Sequence, residues 1–184
     1  IFSMEELKKW YQELLDAYHK WIAYSLSWKK ERNASMKDLQ FPFPYREGQR
    51  EIVSGVYHTV SSKKTLFVQA PTGVGKTMSA IFPSVRAIGE GKGETLFYLT
   101  AKTITGTVAW EAFHTLRENG LKFKVTAITA KEKLCFLDSP ECTPEKCPYA
   151  KGHFDRVNDA VYELWTTEEV YSREVIRAHA EKWQ

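Results

Sequence analysis

The stretch Ala70-Pro71-Thr72-Gly73-Val74-Gly75-Lys76-Thr77 constrains this chain more than any other. The apolar run Thr65-Leu66-Phe67-Val68-Gln69 precedes it and Met78-Ser79-Ala80-Ile81-Phe82 follows, so it stands where a buried strand would turn into a helix. A loop that holds phosphate needs glycines where the backbone takes positive φ and approaches the anion closely. Its N–H groups and the helix N-terminus then cradle the charge. Gly73 and Gly75 occupy those places, and Thr72 and Val74 complete the cradle. Lys76 is expected to reach the β- and γ-phosphates of ATP, and the Thr77 hydroxyl to hold Mg2+. The usual pattern opens on a glycine where this chain has Ala70, which leaves both required glycines in place. The plain alternative is an ordinary glycine-rich turn. The order of strand, loop, Gly-Lys-Thr and helix argues against it.

With 184 residues the chain is long enough for one domain and an insertion, but not for two complete nucleotide-binding domains. A net charge of +3 and a pI near 8.6 neither demand nor exclude nucleic acid. No apolar run is long enough to span a bilayer and no secretory signal pattern opens the chain, so a cytoplasmic location without a membrane partner is expected. Cys135, Cys142 and Cys147 form a C-x6-C-x4-C cluster among Pro140, Pro144 and Pro148. An odd, clustered set argues for a metal or cluster rather than disulfides, since thiolates at such spacing can converge on one soft centre. His153 could complete a tetrahedral zinc site, or a fourth cysteine could follow Gln184.

Along the chain, a capping box of Ser3 and Glu6 opens a long helix. Met4, Leu7, Tyr11, Leu14, Leu15, Tyr18, Ile22 and Ser25 form one stripe, and Trp10, Ala17, Tyr24 and Trp28 a second. Such stripes suit burial on two sides better than base stacking. Glu31-Arg32-Asn33-Ala34-Ser35-Met36 reads as a linker. After the stiff Phe41-Pro42-Phe43-Pro44-Tyr45 comes Gln49, whose amide offers a donor and an acceptor to an adenine edge. Thr95–Thr100 reads as a second buried strand, residues 103–118 as a helix and Phe123–Thr129 as a third strand. Two helices close the chain, Phe154–Trp165 and one opened by a Thr166/Glu169 capping box. Alternating strands and helices make the expected fold class α/β, a parallel sheet with right-handed crossovers. Its ligands would lie at the carboxyl ends of the strands, where Thr100-Ala101-Lys102-Thr103 falls. The expected divisions are residues 1–36 for the aromatic helix and linker, 37–130 for the nucleotide-binding domain and 131–184 for the cysteine insertion.

Four motifs in this order, Tyr45-Arg46-x-Gly48-Gln49, the phosphate loop, Leu99-Thr100-Ala101-Lys102-Thr103, and Cys135 with Cys142-Thr143-Pro144-Glu145-Lys146-Cys147-Pro148-Tyr149-Ala150, resemble the first half of an XPD/DinG-type iron-sulfur DNA helicase of superfamily II. The resemblance covers about residues 41–184. It implies a RecA-like P-loop domain, a [4Fe-4S] cluster held by Cys135, Cys142 and Cys147 in an insertion, and ATP-driven 5′ to 3′ translocation on single-stranded DNA in repair or replication. It implies adenine recognition by Gln49, phosphate and magnesium binding by Thr72, Gly73, Val74, Gly75, Lys76 and Thr77, and a DNA path lined by Thr100, Lys102 and Thr103. Hydroxyls and a lysine at a strand end suit sugar-phosphate contacts that carry no sequence information. The plain alternative for Thr103 is to cap the next helix, a role compatible with the first.

The chain departs from that pattern in several places. Gly106 stands where relatives carry a basic residue, and no Asp-Glu-x-His box or second RecA-like domain with an arginine finger appears. The chain therefore reads as a fragment whose C-terminal helicase domain is a missing partner in cis. It is expected to bind nucleotide weakly and hydrolyse little. Without a fourth thiolate its cluster is expected to be lost, or replaced by zinc with His153 recruited, leaving residues 131–153 mobile. Leu66, Phe67, Val68, Leu96, Phe97 and Leu99 are expected to carry the core sheet. The competing reading is a P-loop ATPase with a Cys3His zinc module that is not a helicase.

Overall fold

The computed structural model describes residues 2–101, 103–138 and 141–183, with the backbone alone for residues 103–105. Its elements in order are α1 (Met4–Asp38), α2 (Gln49–Ser61), α3 (Lys76–Gly89), α4 (Thr103–Glu118), β1 (Val125–Thr126), α5 (Lys131–Leu134), α6 (His153–Thr167), β2 (Val170–Tyr171) and α7 (Arg173–Lys182). The chain is mostly helical, 59%, and its sheet has two short parallel strands, with Val125 opposite Val170 and Thr126 opposite Tyr171.

This corrects the expected α/β class: the chain does not form a RecA-like domain on a parallel sheet. Residues 65–69 and 95–100 take no part in the sheet, and their apolar side chains face solvent, Phe67 being 93%, Phe97 71% and Leu99 86% exposed. Leu66 and Val68 are exposed as well, and Leu96 is half-buried, so these six residues do not carry the core. A parallel strand needs bonded neighbours at its edges and covering layers on its faces. Neither run finds them among the described residues. Of the third expected strand, only Val125 and Thr126 pair.

The chain divides into two compact units. The first is Ser25–Phe123, and the second joins the residues up to Tyr24 with those from Lys124 onward. In the first, α3 packs on both α2 and α4. Met78, Ile81, Phe82, Val85 and Ile88 of α3 meet a core that also holds Ala109, Ala112, Phe113 and Leu116 of α4 with Met36, Leu39, Leu121 and Phe123. The buried hydroxyls in α3 are satisfied within the helix, Ser79 donating to the Gly75 carbonyl at 2.9 Å and Ser84 to that of Ala80 at 2.7 Å. The expected linker at 31–36 is instead the last part of α1, with Met36 at 0% exposure. The Ser35 hydroxyl there donates to the Arg32 carbonyl of the same helix at 2.8 Å and accepts the N–H of the distant Lys122 at 2.9 Å.

In the second unit the Ser3/Glu6 capping box forms as expected, with the Ser3 N–H on Glu6 Oε2 at 2.7 Å and the Glu6 N–H on Ser3 Oγ at 3.2 Å. Trp21 stacks on Trp165 at 5.4 Å and Tyr24 meets the same ring edge-on at 4.6 Å. Every residue of the first α1 stripe is exposed, and of the second only Tyr24 and Trp28 are half-buried, so the expected burial on two sides is not met. The Thr166/Glu169 capping box does not form. Thr166 lies inside α6 with its hydroxyl on the Tyr162 and Glu163 carbonyls, and α7 is capped by Ser172, whose hydroxyl accepts the Val175 N–H at 3.2 Å. Among the described residues no helix is long and apolar enough to cross a membrane.

Candidate functional site

The phosphate loop leads directly into α3. Gly73 and Gly75 both take left-handed φ, 86° and 83°, and Gly75 is the N-cap of α3. No side chain caps this helix end, so the N–H groups of its first turn carry the positive end of the helix dipole without a side-chain acceptor at the N-cap. Two demands fall on Gly75. An L side chain would be strained at its φ, and an ideal Cβ there would lie 2.5 Å from Gln49 Nε2.

Lys76 folds back over its own loop, where Nζ donates to the Ala70 carbonyl at 3.0 Å and that of Pro71 at 2.7 Å. The Thr77 hydroxyl shares a hydrogen bond with the Tyr98 hydroxyl at 3.2 Å. Thr72 is exposed and Val74 half-buried. Gln49 is 4% exposed and turned inward, its Oε1 accepting the Arg46 N–H at 3.0 Å. The Arg46 guanidinium donates to the Gly73 carbonyl. This corner is anchored by Phe41, stacked on Tyr45 at 4.4 Å and set edge-on to Phe82 of α3 at 5.3 Å, while Arg50 lies over the Tyr45 ring at 5.4 Å.

Gln49, Gly73, Gly75, Lys76 and Thr77 are thus gathered around one turn. Thr100 is exposed, Lys102 lies outside the described residues, and Thr103 is described by backbone alone as the first residue of α4. Arg46 and Tyr98, to which the sequence assigns no role, also bond residues of this turn. The signal for Arg46 was its place three residues before Gln49. For Tyr98 it was its place within the apolar run 95–100.

The cysteine segment is described apart from Ser139 and Pro140. The Cys135 Sγ accepts the Leu137 N–H at 3.4 Å, and its carbonyl accepts from Arg177 Nη1 at 3.0 Å. Arg177 also covers the Phe136 ring at 4.2 Å, and that ring stacks on Tyr149 at 4.6 Å. The Lys131 ammonium is held above the usual lysine range, first by its side-chain hydrogen bond with Cys142 and then by Coulombic attraction to that side chain, with a smaller Coulombic contribution from Cys135. Cys142 is exposed and Cys147 buried. The donors suit iron or zinc chemically. As arranged they do not fit a closed site, because among the described residues no three His, Cys, Asp or Glu side chains stand together.

No protein-family model matches the chain, and no solved structure matches it. A probable ATP-dependent helicase of Methanocaldococcus jannaschii is 40% identical to it over 47 residues, which make up 25% of this chain and 7% of that protein. The chain is similar to a helicase over that stretch, and the stretch is a small fraction of the relative's length.

Proposed function

We propose that this chain is the nucleotide-binding part of an ATP-dependent DNA helicase of the XPD/DinG iron-sulfur type, acting on single-stranded DNA with a second helicase domain in cis. The observation that carries this reading is the phosphate loop, with left-handed Gly73 and Gly75, the uncapped start of α3, and Lys76, Thr77 and Gln49 around it. The partial likeness to a probable ATP-dependent helicase supports the class. In this account the Lys76 ammonium leaves the Ala70 and Pro71 carbonyls for the β- and γ-phosphates. The Thr77 hydroxyl, bonded here to Tyr98, would hold magnesium, and the first-turn N–H groups of α3 would receive phosphate oxygens. Magnesium neutralises developing charge on the phosphates when bound. Thr100, Lys102 and Thr103 are assigned to the DNA backbone. Cys135, Cys142 and Cys147 are assigned to a [4Fe-4S] cluster, a role that requires the segment to close further than it does here.

Strand displacement tests the class. A protein carrying this chain with its second helicase domain is expected to unwind a duplex with a 5′ overhang in ATP and magnesium, and Lys76→Ala is expected to abolish unwinding. ATP turnover without strand displacement would favour the ATPase with a zinc module.

A further inference from the structure

The corner before α2 touches the phosphate loop at both of its left-handed residues. Arg46 Nη1 donates to the Gly73 carbonyl, the Arg46 N–H holds Gln49 Oε1, and Gln49 Nε2 fills the space where a Gly75 side chain would begin. Because a trans peptide is planar, its C=O and N–H point in opposite directions, and no peptide in the described chain is cis. Fixing the Gly73 carbonyl toward Arg46 therefore fixes the Val74 N–H to point away from it, on the opposite side of the loop. A guanidinium bond to a carbonyl is charge-assisted and stronger than a neutral one. Arg46 thereby sets the direction of an N–H of the loop through the Gly73 carbonyl.

We propose that Arg46 is a positioning residue for the phosphate loop: it orients the cradle through Gly73, and its effect on nucleotide binding is independent of the base. The proposal rests on the nucleotide reading above. It differs from a role in adenine recognition, which would leave a ligand without a base unaffected.

Titration calorimetry with ATP–magnesium and with inorganic tripolyphosphate–magnesium separates the two. Arg46→Ala is expected to weaken both ligands by the same factor, on the order of tenfold. Arg46→Lys, which keeps the charge but loses the planar fork, is expected to weaken both by a smaller, equal factor. Weakening of ATP with tripolyphosphate unchanged, or no change for either ligand, would overturn the proposal and leave the nucleotide reading standing. A wild-type chain that binds neither ligand would overturn the nucleotide reading, and this proposal with it. Thermal melting of each variant checks the fold. If Arg46→Ala melts early, Arg46→Lys decides on the same criterion.

Discussion

Lys76 keeps its cation satisfied without burial: two loop carbonyls take up the ammonium, and the side chain stays exposed. Tyr171 in the second unit is the opposite case. Its hydroxyl donates to the Glu168 carbonyl at 3.0 Å, and partial burial, followed by the nearby Tyr24, Glu168 and Glu169, pushes its pKa well above the ordinary tyrosine value. A group with a raised folded-state pKa contributes stability that is present below its unfolded pKa, about 10 for tyrosine, and lost as pH rises beyond it. Alkaline melts should therefore show wild-type stability falling above about pH 10 more steeply than that of Tyr171→Phe. Parallel curves would contradict this. Single residues were also where the sequence was most legible. Gly73 and Gly75 could be identified because few residues other than glycine tolerate their φ, and Gln49 because of its place before the loop. The bonds from Arg46 to Gly73 and from Thr77 to Tyr98 join residues 27 and 21 positions apart, and no local pattern announces them.

Among the elements, the helices were legible and the strands were not. Helical spacing and caps are local properties, and residues 103–118 and 154–165 are helical as their periodicity predicts. An apolar run specifies burial but not a bonded neighbour, so residues 65–69 and 95–100 read as strands that this chain does not pair. The linker reading at 31–36 failed because polar residues that favour turns locally were fixed in α1 by tertiary bonds such as Ser35 with Lys122. The close approach of α1 and α3 gives an independent check. At Gly89 an ideal Cβ would fall 2.5 Å from Met36 Cβ, so Gly89→Ala must separate the two helices. The usual gain of about 0.5–1 kcal/mol for alanine over glycine in a helix is smaller than the cost of overpacking, typically about 1–3 kcal/mol. Urea denaturation should show net destabilisation, and a neutral or stabilised variant would mean that the helices do not meet this closely.

At the scale of the whole molecule, stability is concentrated where α3 is covered, while large apolar side chains lie exposed along α1 and at residues 65–69 and 95–100. Amide exchange should reflect that division, with the slowest amides in α3 and α4 and fast exchange across both runs. Protection at 65–69 equal to that of α3 would restore the sheet that the structure lacks. The functional account depends on one event, the transfer of Lys76 from its loop carbonyls to a triphosphate. The most direct measurement is calorimetric titration of ATP–magnesium into this chain and into its Lys76→Ala variant. The account predicts saturable binding by the wild-type chain, weakened at least about tenfold in the variant, the order expected for loss of one charge-assisted contact. Equal affinity in both, or no binding by the wild type, would contradict it.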